Sequence, residues 1–235
     1  MKNYFTPEWL SWVFTFAISI PIILIASFAK RNSPPRKQNY VFIGIIAFYV
    51  IYFFYVFFAG KLGLFQTVSL PPNILLFTTF PYAIFLFALI DKLPMPKQIF
   101  EKSSINDLIG LHIFRFIGST FIVLALYDSL PKTFAFIAGF GDVIAAITSI
   151  FVVNAIKKQK PYSKNLILVW NTFGLIDIII TAVLANFFTK VSIDTGVMGV
   201  DTLAKFPFSL IPAFAPPTIF FLHVLIYRKL KKKSR

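Results

Sequence analysis

Seven apolar runs, each close to 20 residues long, constrain this chain more than any other feature. They lie at about 9–29, 40–59, 73–90, 105–127, 133–156, 165–188 and 206–227. A run of that length crosses the ~30 Å hydrocarbon core of a bilayer as an α-helix. No water is available there, so the backbone must satisfy its own amides and carbonyls. The expected fold is all-α: a polytopic membrane protein with one seven-helix transmembrane domain over 1–235.

Composition agrees. The chain is 57% hydrophobic and 14% charged. Soluble domains are about 45–50% apolar and about 25% charged. The formal net charge of +14 invites a nucleic-acid reading. The bases argue against it, because they sit in the loops between apolar runs and form no basic face with interleaved aromatics. Alternate loops carry 17 and 5 of the 23 Lys and Arg residues, with Arg115 the remaining one. The basic set includes the loop at 30–37, the loop at 92–102, the loop at 157–164 and the tail from Arg228. Basic loops face the cytoplasm. The expected topology is N-terminus outside and C-terminus cytoplasmic, in the bacterial inner or plasma membrane. The six Lys and Arg of 228–235 are expected to attract anionic lipids at the cytoplasmic face. Cysteine is absent, so thiolate chemistry and disulfides are excluded. The N-terminus has no basic stretch ahead of a short apolar run and cleavage site, so the first run is read as a retained span.

Charges inside the spans are the informative exceptions. An ionised side chain at the bilayer centre costs at least ~2.5–3.5 kcal/mol, so it is rare and has a partner. Arg115 lies in span 4, Asp142 in span 5 and Asp177 in span 6. His112 and Arg115 share a helix face at i,i+3. Trp170, Asn171 and Asp177 fall in span 6, and His223 in span 7. The loop bases orient the spans, and the helical rise then places all of these in the middle to cytoplasmic half. Such convergence predicts one intramembrane polar site. Arg115, Asp142, Asn171, Asp177 and Trp170 are its candidate ligand-binding residues. Arg115 and Asp142 lie at matching distances from the turn at 128–131, which predicts that they pair. Asp177 is the alternative partner. Pro212, Pro216 and Pro217 are expected to distort span 7 and expose carbonyls to a cavity. Gly139, Gly141 and Gly174 are expected to let helices approach closely.

His112 and His223, with Asp142 or Asp177, make a conceivable three-ligand zinc shell. Their spacing matches no zinc motif. Intramembrane ceramidase-like hydrolases have a similar span count but use three histidines, and this chain has two. Four stretches resemble a family of uncharacterised bacterial seven-transmembrane-helix membrane proteins. They are Leu130-Pro131 with Phe134-Ala135; Ala138-Gly139 with Gly141-Asp142; Trp170-Asn171 with Gly174 and Asp177; and Ile211-Pro212 with Phe214, Pro216 and His223. The resemblance covers about 105–228 and implies no activity. Three functions stay open. One is small-ligand or ion binding, transport or sensing through the polar site. The second is a zinc-dependent lipid hydrolase using His112 and His223. The third is a non-catalytic assembly subunit.

Overall fold

In the computed structural model, which describes residues 6–66 and 69–232, the apolar runs are helices, and those residues contain no strand. Six helices are long and apolar enough to cross a membrane. They are α1 (Glu8–Arg31), α2 (Pro35–Lys61), α5 (Ile105–Leu126), α6 (Lys132–Lys157), α7 (Ser163–Thr195) and α8 (Leu210–Lys232). Between them, α3 (Leu75–Ile90) and α4 (Pro94–Lys102) meet at 84°. Taken together as one broken span, they bring the number to seven. Residues 1–5 and 233–235 lie outside the described residues, and parts of the topology and anionic-lipid expectations rest on them.

Two boundaries differ from expectation. α4 fills a stretch read as loop, and α7 continues to Thr195 instead of ending near 188. Gly196 stops α7 in a left-handed cap at φ 69°, the conformation glycine adopts without penalty. At the start of α5, Ser104 and Asp107 form a capping box: each side chain accepts a hydrogen bond from the other's backbone N–H.

Proline shapes the spans, and hydroxyls repair them. A helical proline has no N–H for the carbonyl four residues before it and crowds that carbonyl. Pro21 thereby deprives Ala17, and α1 is interrupted at Ile18. Pro81 deprives Phe77, and α3 is π-helical on both sides of a short α segment. The Tyr55 hydroxyl donates to the Phe77 carbonyl at 2.8 Å. Pro216 and Pro217 deprive Pro212 and Ala213 within α8. Thr79 Oγ1 donates to the Pro212 carbonyl at 2.6 Å, and Tyr52 OH donates to the Ala213 carbonyl at 3.0 Å. The carbonyls were expected to face a cavity. Instead they are bonded by side chains of α2 and α3, which ties three helices together through α8.

Tyr52→Phe tests this. It removes the donor and leaves a carbonyl short of a partner in an apolar surrounding, at a cost of about 1–3 kcal/mol. We expect a lower thermal midpoint in detergent. An unchanged midpoint would mean that the Ala213 carbonyl finds another donor.

Burial ranks the helices. In the most apolar window of each span, 72% of α8 is buried but only 11% of α2. α8 is thus the most enclosed span, packed against α3, α5 and α7, and α2 is the least enclosed, packed chiefly along α1.

Candidate functional site: a buried charge cluster

The middle of α5 is not α-helical. Residues His112–Gly118 form a 3-10 stretch between α segments. In that geometry side chains at i and i+3 eclipse, so His112 and Arg115 project together. Both are buried, Arg115 at 2% exposure and His112 at 0%.

Arg115 spreads across three helices. Its Nε donates to Asp142 Oδ1 on α6 at 2.7 Å. Nη2 donates to Asp177 Oδ2 on α7. Nη1 donates to the Gly174 carbonyl at 3.3 Å and lies 3.4 Å from His223 Nε2 on α8. The guanidinium presents five N–H donors in a rigid plane, which is why one arginine holds two carboxylates, a carbonyl and an imidazole. The expected Arg115–Asp142 pair is present, and Asp177 is a second partner, not an alternative one.

The His223 tautomer follows from its neighbours. Asn171 Nδ2 donates to the His223 carbonyl at 3.1 Å, so Asn171 Oδ1 faces His223 Nδ1, at 2.8 Å. That oxygen can only accept, so Nδ1 carries the proton. Nε2 is then an acceptor turned toward Arg115. Trp170 is fastened separately: its indole N–H reaches the Ala145 carbonyl at 3.2 Å and Thr148 Oγ1 at 3.1 Å. Its ring stands edge-on to His112, with centroids 5.0 Å apart.

His112 is the exception. Neither ring nitrogen has a hydrogen-bond partner among the described residues. Its ring lies 4.3 Å, centroid to centroid, from that of His223. Each buried polar group left unpaired costs about 1–3 kcal/mol.

Glycine makes the assembly possible. A Cβ on Gly118 would overlap the Asp142 side chain, and one on Gly141 would overlap the Asp177 carboxylate. A Cβ on Gly174 would sit 2.6 Å from His223 Cε1 and 3.0 Å from Arg115 Nη1. Gly141 and Gly174 were expected to serve helix approach, and they do so by admitting the cluster itself. Gly118 was not anticipated. Its signal is a small residue three positions after the buried arginine.

The geometry lends the zinc reading no support. Among the described residues no three of His, Cys, Asp and Glu are grouped to hold a metal ion. The two imidazoles adjoin, but Arg115 takes both carboxylates that would complete a shell. Space is also small. The cavity beside Arg115, Asp142 and Gly118 measures about 30 Å³, room for a water molecule or two. Pockets for small organic ligands run to ~300–1,000 Å³.

Residues 72–231 match a family described as a domain of unknown function, DUF8737. The chain belongs to that family. Neither a curated protein nor a solved structure matches it. The DUF8737 region begins ahead of α3 and reaches into α8, so it contains every member of the cluster. Helices α1 and α2 lie before it.

Proposed function

We propose that this DUF8737 protein is a seven-span membrane protein, N-terminus outside and C-terminus cytoplasmic, whose buried cluster binds a proton. Sensing or ion-coupled transport through α5–α8 is the function this supports. The observation that carries the reading is His112: a fully buried imidazole with both nitrogens unpaired, against a cluster of one arginine and two aspartates. Charge counting favours uptake of a proton by the cluster as a whole. With both imidazoles neutral, the cluster holds one fixed cation and two carboxylates. One further proton makes it neutral, which hydrocarbon surroundings demand. A proton needs no cavity beyond the space present, whereas a small organic ligand does. The membrane-protein resemblance over 105–228 remains part of this proposal.

Trp170 supplies the test, because a protonated imidazole quenches an adjacent indole. The chain has three tryptophans. With Trp9→Phe and Trp12→Phe in place, Trp170 emission reports on the cluster alone. We expect emission to fall reversibly as pH is lowered, and His112→Gln to flatten that response. A response that survives His112→Gln and disappears in His223→Gln would move the proton to His223. No response in any variant would favour the assembly reading, in which the cluster only clamps helices.

A further inference from the structure

A second feature lies away from the cluster and uses none of its residues. An apolar slot of about 320 Å³ runs between α1, α2, α3, α4 and α8. Ile25, Ile45, Phe85, Met95, Ile99 and Phe221 are among its walls. Its hydroxyl-bearing residues are Tyr49, Tyr82 and Thr218, and these bond one another. Tyr49 and Tyr82 hydroxyls are 2.7 Å apart, and Thr218 Oγ1 donates to Tyr82 at 3.4 Å. The walls therefore ask for aliphatic surface and for no polar group. On α2 the slot extends from Val41 to Tyr49, about 12 Å at the helical rise.

Both rims are cationic. Val41 and Met95 are shared with a surface hollow that holds Arg36, Lys37 and Tyr40. Phe100 is shared with a second hollow bearing Lys92, Lys97, Arg228, Lys229 and Lys232, against Asp91 and Glu101. Arg228 is bound to Asp91 at 2.6 Å, and Lys229 donates to the Ser103 carbonyl at 2.6 Å. Arg36, Lys37, Lys92 and Lys97 have no ion-pair partner among the described residues. An aliphatic slot between unpaired bases is complementary to one class of molecule, an anion with a hydrocarbon tail. The slot lies among helices apolar enough to sit in a bilayer, where that molecule is an anionic phospholipid.

We propose that the slot holds one acyl chain of an anionic phospholipid, with its phosphate at the Arg36–Lys37 rim and Lys92 and Lys97 opposite. α4 is then a roof: its 84° turn away from α3 carries Met95, Pro96, Ile99 and Phe100 over the chain. The occupied site joins α1 and α2 to the DUF8737 region through a lipid.

Gly44 makes the proposal testable without unfolding the protein. It stands on the slot, and a Cβ built there meets nothing within 4 Å. Gly44→Phe fills the slot and also removes a glycine from mid-helix, which favours the helix. The full chain would be reconstituted in vesicles of equal parts phosphatidylcholine and phosphatidylglycerol, extracted in mild detergent, and its retained lipids counted by native mass spectrometry. We expect one phosphatidylglycerol retained in preference to phosphatidylcholine. Arg36→Gln with Lys37→Gln should lower that retention about fivefold for each base removed. Gly44→Phe should abolish it while keeping the thermal midpoint of the unmodified chain. Undiminished phosphatidylglycerol on Gly44→Phe would overturn the proposal, since the lipid would then adhere elsewhere. Equal retention of the two lipids would overturn it as well. A change of oligomeric mass in Gly44→Phe would assign the slot to a second copy of the chain, and would also overturn it.

Discussion

Arg115→Met will destabilise the protein by about 3–5 kcal/mol, the typical cost of breaking a buried ion pair from one side. Two carboxylates, Asp142 and Asp177, would be left without their shared cation. The Gly174 carbonyl and His223 Nε2 would lose a neighbour too. Asp142→Asn and Asp177→Asn should each cost less, because the arginine keeps the other carboxylate. Removing the charges together reverses the sign of the argument. Arg115→Met with Asp142→Asn should recover part of the loss, and adding Asp177→Asn should recover more. Unfolding midpoints in detergent, combined as mutant cycles, measure this coupling. Simple additivity would show that the three side chains do not share one electrostatic unit.

Gly141→Ala is the second large effect. The added methyl would occupy the place of the Asp177 carboxylate, which Arg115 holds from the other side. A flexible side-chain end could swing away; this one cannot move without giving up its cation. Overpacking alone costs about 1–3 kcal/mol, and the displaced carboxylate puts the expected loss at or above the top of that range. Gly44→Ala is the matching control. It adds the same methyl to open space on α2 and should stabilise by about 0.5–1 kcal/mol through helix propensity. Equal behaviour of the two variants would mean that α6 and α7 are not in such close approach.

Much of this arrangement could be read from the chain, and the reasons for the gaps are physical. The apolar runs announced helices because nothing else of that length satisfies a backbone in hydrocarbon. Arg115 and Asp142 stand about twelve and eleven residues from their common turn. Helical rise converts that into equal depth. Depth is not azimuth, however. Which faces meet depends on how α5, α6 and α7 rotate, so Asp177 read as a rival for Arg115 and not as its second partner. The 3-10 stretch was hidden because His112–Gly118 contains no residue that forbids an α-helix. The unpaired state of His112 depends on what its neighbours bond to, and no spacing rule reports that. The prolines of α8 showed which carbonyls would lose a donor. They did not show that Tyr52 and Thr79, far away in the chain, would supply new ones.

The charge cluster also bears on how the chain enters the membrane. Span α5 carries Arg115 and would meet the ~2.5–3.5 kcal/mol charge penalty if it partitioned alone. Its partner arrives next: α6 brings Asp142, and the connection between them is the short stretch Tyr127–Pro131. The two helices make 2.7 Å contact through opposite charges, so a hairpin enters the bilayer neutral where single helices would not. α7 then adds Asp177 as a second carboxylate on the same arginine, which leaves the cluster one proton short of neutral, and α8 closes over it with His223. The arginine thus meets its first counter-charge in the helix that follows it, and α5 and α6 make the natural unit of insertion.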